Sequence, residues 1–510
     1  MIRIKKALIS VYNKEGLIDF ARTLVSNNVE ILSTGGTAKH LIKEEIPVTH
    51  VEDIIGFPEI LDGRVKTLHP LIHGGILVRR DNEKDMEEIK KMGITPIDMV
   101  VVNFYPFEEW MKKKIEIKEL LEYIDIGGPT MVRAAAKNFP WVVVVTSPKY
   151  YEFVSNEIKN KGGISVDTSK KLAFFAFSET AKYDSLIANY FAPEVGGFKE
   201  RLFFGYEFRN TLRYGENPHQ EGAFYRDLTS LEGFSGLVQL GGKELSYNNY
   251  QDMEAAWKAV SVFSEPAVVI VKHLNPCGVS LNEDIVKAYR EAVESDPLSA
   301  FGGIVAVNRN VDKELAKEIV KEFREVVIAP SYSQDALSVF ESKPNLRIIK
   351  LPLYKYGGST KEYKRIWGGL LVQDEDMPIV DYTSWKIMTG QIEDESLWKD
   401  LLFSFQVVSL ERSNAIVISK GKRTVGIGMG LPSRIDAAKV AIEKAGANAR
   451  GAVLSSDAFF PFPDVVELAA KHGIRVVIEP GGSKRDNEVI EAARTHGITL
   501  IFTGERHFRH

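Results

Sequence analysis

Short apolar runs, almost unbroken and separated by helical patterns, govern what the first 190 residues can fold into. Residues 7–11 and 29–33 read as strands on either side of residues 17–25, where apolar positions recur at helical spacing. Residues 99–104 and 142–145 are again continuous apolar runs. A strand that is apolar on both faces needs cover on both faces, which a parallel sheet between helix layers supplies. The expected class is α/β.

The same alternation returns later in the chain. Residues 268–271 and 326–329 read as strands, and 284–293 and 312–323 as helices. From about Ile379 the pattern restarts. Helices are expected at 397–410 and 435–445, and strands at 415–418, 425–427 and 452–454. Ser299-Ala-Phe-Gly-Gly303 and Ser456-Asp-Ala-Phe-Phe-Pro-Phe462 both read as a strand running into a small-residue and Phe loop, which suggests two related lobes. Residues 192–201 hold a Pro and paired Gly that break both periodicities, so they are the expected linker. A chain of 510 residues exceeds one hydrophobic core, so several domains are required.

Charge and cysteine content remove several function classes. A net charge of −4 provides no basic field for nucleic acid or an anionic membrane. Cys277 is the only cysteine, so the chain can form no internal disulfide and no multi-cysteine zinc site. No apolar run approaches the roughly 20 residues that span a bilayer. The start Met1-Ile-Arg-Ile-Lys-Lys6 leads into a stretch broken by Ser10, Asn13 and Lys14, a poor signal peptide. A cytoplasmic location is expected.

Four motifs in the first 140 residues carry chemistry. Ser33-Thr-Gly-Gly-Thr37 lies between a strand and a helix, where glycine N–H groups, hydroxyls and the helix N-terminus suit a phosphate, or where a plain βα turn would do. Gly63-Arg-Val-Lys-Thr-Leu-His-Pro70 places two cations and a hydroxyl in one loop, able to hold a phosphate or an oxyanion. Asn103-Phe-Tyr-Pro106 ends a buried strand, the usual ligand side of an α/β sheet. Ile124-Asp-Ile-Gly-Gly-Pro-Thr130 leads into a helix carrying Arg133 and Lys137, with Pro129 suited to its first turn.

The second half has its own set. Leu212-Arg-Tyr-Gly-Glu-Asn-Pro-His-Gln220 packs a cation, an amide and an imidazole into one turn. Gly242-Lys-Glu-Leu-Ser-Tyr-Asn-Asn249 ends in two amides able to read a carboxamide or a heterocycle edge. Val271-Lys-His-Leu-Asn-Pro-Cys-Gly278 sets Lys272 and His273 side by side just past a buried strand, where charged groups are costly without partners. Its Pro-Cys pair matches half of a zinc-deaminase pattern, but the second cysteine is absent, so no catalytic metal is expected. Arg412-Ser-Asn-Ala415, the aromatic Phe459-Phe-Pro-Phe462 segment and Arg506 complete the set.

Gly56-Phe-Pro-Glu-Ile-Leu-Asp-Gly-Arg-Val-Lys-Thr-Leu-His-Pro70, with Asp125-Ile-Gly-Gly128 and residues 133–138, resembles the inosinate cyclohydrolase domain of the bifunctional purine-biosynthesis enzyme family. The second-half motifs resemble that family's transformylase portion, so the resemblance covers nearly the whole chain. It implies a methylglyoxal-synthase-like parallel-sheet domain at 1–195, followed by two cytidine-deaminase-like α/β lobes without zinc at 200–375 and 376–510. The implied activities are formyl transfer from 10-formyltetrahydrofolate to aminoimidazole-carboxamide ribonucleotide (AICAR), then closure of the formylated product (FAICAR) to inosinate (IMP).

For cyclisation the resemblance carries over Lys66, Tyr105, Asp125 and Lys137 as the catalytic set. Ser10, Lys14, Ser33, Thr34, Gly35, Gly36, Thr37, Arg64 and Thr67 would join Lys66 in contacting the nucleotide. For transfer it implies Lys272, His273, Asn414 and Asp464 as catalytic. Arg213, Tyr214, Asn249, Phe301, Gly302, Gly303 and Arg506 would contact the nucleotide, and Phe460, Pro461 and Phe462 would lie near the folate. It also implies a homodimer with shared transformylase sites.

Two positions depart from the family pattern. Arg412 stands where the family has Lys, and Leu431 where it commonly has Gln, which puts a hydrogen bond near the folate or the lobe interface in question. Two rival readings explain only the first domain: a methylglyoxal-synthase-like phosphosugar lyase, or a nucleotide-sensing module. Asp125 and Lys137 accompanying Lys66 favour catalysis over sensing, since a sensor needs no proton-transfer set.

Overall fold

The computed structural model describes residues 1–61, 63–192, 198–228, 233–356, 360–378, 381–392 and 394–510. The expected linker at 192–201 falls partly outside the described residues, at 193–197, and so does Ile379. The chain divides into two compact units, Met1–Gly205 and Tyr206–His510.

The first unit is built on five parallel strands: β1 (Lys6–Val11), β2 (Glu30–Ser33), β3 (Thr49–His50), β4 (Met99–Asn103) and β5 (Val143–Val145), in the order β3-β2-β1-β4-β5. Successive side chains of a strand point to opposite faces. Ala7, Ile9 and Val11 therefore enter one apolar cluster with Met99, Val101, Val143 and Val145. Leu8 enters the other with Val100, Val102, Val142 and Val144. Two cores, one on each face, are why these runs contain so few polar residues. The strand order reverses between β1 and β4, and a crevice opens at the carboxyl ends of the strands there.

The second unit contains the hairpin β6 (Tyr206–Leu212)/β7 (Gly222–Asp227) and then a six-stranded sheet. That sheet comprises β8 (Val238–Gly241), β9 (Ala267–Lys272), β10 (Asn275–Leu281), β11 (Ile304–Val307), β12 (Val326–Ala329) and β13 (Arg347–Lys350), in the order β10-β9-β11-β12-β13-β8. A second hairpin, β14 (Lys361–Ile366)/β15 (Gly369–Asp374), precedes another six-stranded sheet. Its strands are β16 (Lys386–Thr389), β17 (Ile416–Ser419), β18 (Thr424–Gly428), β19 (Val453–Ser456), β20 (Val476–Glu479) and β21 (Thr499–Phe502), ordered β18-β17-β19-β20-β21-β16. The two orders are the same with every strand advanced by eight, and the parallel and antiparallel pairings match one for one.

Two related lobes are therefore present, but the signal read for them joins non-equivalent positions. Ser299–Gly303 precedes β11, whereas the Phe-Phe-Pro-Phe segment follows β19, the strand equivalent to β11. The lobes also share one apolar core, in which Met253, Trp257 and Val269 join the same cluster as Leu401, Phe405, Val417 and Ile501. The helix expected over 312–323 stops at Ile319. Beyond it Phe323 packs against Phe301 with ring centroids 5.6 Å apart, and its carbonyl accepts the Gly302 N–H at 2.9 Å. That tertiary contact pulls the chain out of the helix. Among the described residues no helix is long and apolar enough to cross a membrane.

Candidate active sites

The crevice at the reversal of the first sheet is a cavity of about 620 Å³. Ser10, Lys14, Thr34, Gly35, Gly36, Thr37, Arg64, Lys66, Thr67, Tyr105 and Asp125 all line it. The helices Gly35–Lys43 and Gly127–Lys137 both begin at its wall. Helix N-termini expose N–H groups without intrahelical acceptors, so two of them at one cavity make it suited to anions. The Lys66 ammonium adds a full charge, 3.0 Å from Glu59 Oε2. Gly63 is what lets Lys66 lie there, because a Cβ at 63 would come within 2.3 Å of Lys66 Cε. Arg64 is paired with Glu122 across the mouth.

Asp125 is held from three sides. Its Oδ1 accepts the Gly128 N–H at 2.8 Å, and its own N–H donates at 2.9 Å to the Tyr183 hydroxyl, which in turn donates to the Tyr123 carbonyl at 2.6 Å. A Cβ at 128 would fall 2.4 Å from Asp125 Oδ2, so glycine is required there. Burial pushes the Asp125 carboxyl above its ordinary value, against the hydrogen bonds from Gly128 and Tyr105. Burial and then the Asp125 charge likewise raise the Tyr105 phenol, while Lys66 opposes the rise.

Two of the expected residues are hydrogen-bonded within the fold, and a third does not line the cavity. Ser33 is fully buried and its hydroxyl donates to the Ile9 carbonyl at 2.7 Å, so it ties β2 to β1 and does not line the cavity. Thr37 does line it, yet its hydroxyl both accepts from Val11 N–H and donates to Val11 carbonyl at 3.1 Å. Lys137 is exposed at the far end of the helix whose start forms the wall. Ten residues of helix separate it from Gly127 by about 15 Å.

In the second unit, Lys272 and His273 sit at the tight turn between β9 and β10. The Lys272 ammonium donates to the carbonyls of Phe301 (3.4 Å) and Gly302 (3.1 Å), which brings Phe301, Gly302 and Gly303 beside it. The His273 side chain is exposed. The loop carrying Arg213 and Tyr214 closes on itself through Gly215 N–H and the Gln220 carbonyl (2.6 Å). It is tied to the helix Tyr247–Ser261 by Asn248, which donates to Glu216 at 3.2 Å. The Asn249 Oδ1 accepts the Ser246 N–H at 3.1 Å, and its N–H donates to the Ser246 hydroxyl. It is the second half of a capping box, buried at the helix start. Cys277 is buried 3.4 Å from the Ile270 carbonyl, and burial pushes its thiol up to about 12.

A further group gathers in the second lobe. Asn414 Oδ1 accepts from Arg434 at 2.6 Å, while its amide donates to the carbonyls of Leu431 (2.9 Å) and Pro432 (3.0 Å). The backbone of Leu431 thus makes the contact, and its side chain packs on the apolar core. Arg434 also pairs with fully buried Asp457, whose carboxylate accepts from the Ser413 hydroxyl. Asp464 opens the helix Asp464–Lys471, accepting the Val465 N–H at 2.9 Å. Arg506 is exposed, with its guanidinium 4.4 Å from the Phe508 ring centroid.

The aromatic segment divides. Phe460 is fully buried in the core and is not a ligand platform, whereas Pro461 and Phe462 are exposed and the Arg485 guanidinium lies 4.9 Å from the Phe462 ring centroid. The segment is pinned by Glu479, whose Oε2 accepts the N–H groups of Phe460 (2.9 Å) and Gly481 (3.2 Å). Burial, with a smaller push from Asp486, raises the Glu479 carboxyl to about 8 against those bonds and Arg434. The folded chain keeps this proton to about pH 8, while the unfolded chain releases it near the ordinary 4.5. The resulting stability is full below pH 4.5 and declines as pH rises toward 8. Glu479→Gln copies the protonated form. It is expected to shrink the loss of unfolding free energy between pH 5 and pH 8 by on the order of a few kcal/mol. Denaturant titrations at the two pH values measure this, and an unchanged difference would mean that Glu479 is ionised in the folded protein.

Comparison with known proteins decides the family. Residues 135–444 match the family model described as the AICARFT/IMPCHase bienzyme, and residues 16–130 match the MGS-like domain model. The chain belongs to the AICARFT/IMPCHase bienzyme family. The bifunctional purine biosynthesis protein PurH of a Thermoanaerobacter species is 50% identical over 510 residues, covering 99% of this chain and 100% of that protein. PurH of Halalkalibacterium halodurans is 49% identical over 509 residues, and that of Bacillus cereus 47% over 509, with the same coverage. This bienzyme is accordingly an AICAR formyltransferase and an IMP cyclohydrolase of purine biosynthesis. Its first unit is MGS-like, and its formyl donor is folate-derived.

Several residues that shape the candidate sites were not singled out from sequence. Asn103 accepts the N–H groups of Tyr12 (2.7 Å) and Asn13 (2.9 Å) and shapes the loop that carries Lys14 into the cavity. Its place at the end of an apolar strand was the available signal. Asp457 lay inside the quoted Ser456–Phe462 motif. Arg434, Tyr183 and Glu479 sit within regular elements and carry no local signal.

Proposed function

We propose that the cavity between β1 and β4 closes the purine ring and that the Lys272–His273 turn transfers the formyl group from 10-formyltetrahydrofolate. The observation that carries the first assignment is the meeting of two helix N-termini, the Lys66 ammonium and the buried Asp125 carboxyl at one cavity. In ring closure the carboxamide nitrogen of FAICAR attacks the formyl carbon. The carbonyl electron pair moves to oxygen, and water later leaves. The nucleotide phosphate suits the Gly35–Gly36 helix start, and Lys66 stabilises the alkoxide. The Asp125 carboxylate, made a stronger base by burial, takes the proton from the attacking nitrogen, and Tyr105 lies within its field to assist proton movement.

In transfer, the 5-amino group of AICAR is a weak nucleophile because its lone pair delocalises toward the carboxamide. His273 accepts its proton as it attacks the formyl carbon, and Lys272 stabilises the tetrahedral oxyanion or protonates the departing folate nitrogen. Asn414 and Asp464, with Pro461 and Phe462, form the second-lobe part of this site. The scheme calls on no metal; Cys277 lies inside the core, where burial raises its thiol.

A cytoplasmic homodimer is part of the proposal. Among the described residues no hydrogen bond or ion pair links the Lys272 group to the Asn414 group. The β14–β15 hairpin presents Trp367, fully exposed, and Leu371, exposed as well, the kind of apolar surface a second copy would cover. A fully active monomer in sedimentation would overturn the dimer.

The purified protein should convert AICAR and 10-formyltetrahydrofolate into IMP with release of tetrahydrofolate, read by absorbance and chromatography. Accumulation of FAICAR without IMP would overturn the cyclohydrolase cavity, and absence of any turnover by folded protein would overturn both sites.

A further inference from the structure

The chain between β9 and β10 reverses through two residues, His273 (φ 53°) and Leu274 (φ 69°), both in the left-handed region. Two-residue hairpin loops of this kind favour Asn-Gly, because both central residues must take positive φ. Leucine has no side-chain means of supporting that conformation, and neither residue is glycine. The turn therefore needs an anchor from elsewhere in the fold.

Asp252 supplies it. This residue lies within the helix Tyr247–Ser261, one turn beyond the capping box, and its Oδ1 accepts the Leu274 N–H at 2.7 Å. The same carboxylate takes the His273 N–H; burial raises the carboxyl above its ordinary value, against these hydrogen bonds and the charges of His273 and Lys272. On the other side, the Lys272 ammonium is held by the Phe301 and Gly302 carbonyls. Gly302 has φ 66°, and a Cβ there would come 3.3 Å from Lys272 Nζ. The Lys272 side chain is thus held from one side, while the turn backbone is held by Asp252 at its N–H groups and by the Asn275 amide, which donates to the His273 carbonyl at 2.8 Å.

We propose that Asp252 is a positioning residue of formyl transfer, holding the His273–Leu274 turn in the left-handed geometry that presents His273 and Lys272 to the substrates. The inference rests on the reading of those two side chains as the transfer machinery.

The test uses the full-length protein, with cyclisation of supplied FAICAR as an internal reference. Asp252→Ala should lower kcat for formyl transfer by at least about tenfold, because a misplacement on the order of 1 Å removes about that much or more. KM for both substrates and the cyclisation rate should stay within about threefold of the unmodified protein. Asp252→Asn keeps an acceptor oxygen and should recover most of the rate. Adding Leu274→Gly to Asp252→Ala should also recover part of it, since glycine enters the left-handed region without support.

Unchanged kcat in Asp252→Ala, a loss confined to KM, or a loss that neither Asn nor Leu274→Gly relieves would overturn the proposal. His273→Asn in the same assay separates the two levels. Full transfer activity in that variant would overturn the reading of the turn as catalytic, and an inactive His273→Asn beside a fully active Asp252→Ala would overturn the role of Asp252 alone.

Discussion

Lys66→Ala is expected to slow closure of FAICAR to IMP by about 100- to 1,000-fold while formyl transfer continues at its normal rate. The figure is the effect of removing one preorganised donor from a developing oxyanion. Lys66 is the cation placed against the Gly35 helix start, with its ammonium 3.2 Å from where a Cβ of Gly35 would be. The oxyanion forms only after attack, so the loss should fall on kcat more than on KM. The side chain is partly exposed and, among the described residues, pairs with Glu59, so its removal should cost little stability. The measurement is single-turnover cyclisation of supplied FAICAR beside steady-state formyl transfer. An unchanged cyclisation rate would remove Lys66 from the catalytic set.

His273→Ala is expected to lower formyl transfer by about 100- to 10,000-fold, the range for loss of a positioned general base. Cyclisation of supplied FAICAR should persist, because its residues lie in the first unit. His273 occupies a left-handed position, so part of any loss with alanine belongs to the turn. His273→Asn removes that ambiguity, as asparagine enters the left-handed region more readily than most residues. Equal losses in the two variants assign the effect to the imidazole. Transfer at the normal rate in His273→Asn would mean that another group takes the amine proton, and loss of both activities would indicate misfolding.

Most of the architecture is legible in the sequence. The runs at 7–11, 99–104 and 142–145 became β1, β4 and β5 because burial on two faces leaves room for few polar residues. The helix at 17–25 appeared as Leu17–Ser26 for the complementary reason, one apolar stripe against the sheet. The helix read over 312–323 was too long, since its last turn gave way to the Phe323 contacts with Phe301 and Gly302. Lobe duplication was inferred from two loops that proved non-equivalent. The true correspondence lies in strand order, which no local motif records.

The candidate sites were legible as segments more than as side chains. Every loop singled out in the first domain reaches the cavity, because glycine-rich turns at the carboxyl ends of parallel strands must gather at the reversal of strand order. By itself the sequence determined the elements, the placing of the motifs between them and, through the family motifs, the chemistry. Only the tertiary structure decided where the expected site residues sit: Ser33 bonded to Ile9, Asn249 in its helix cap, Phe460 in the core, Lys137 at the far end of its helix. It alone also brought Tyr183 to Asp125 and Asp252 to the His273 turn, across 58 and 22 positions of chain. The physical reason is that periodicity and turn chemistry act over a few residues. A buried hydrogen-bonding group takes whatever partner the packing of distant elements delivers.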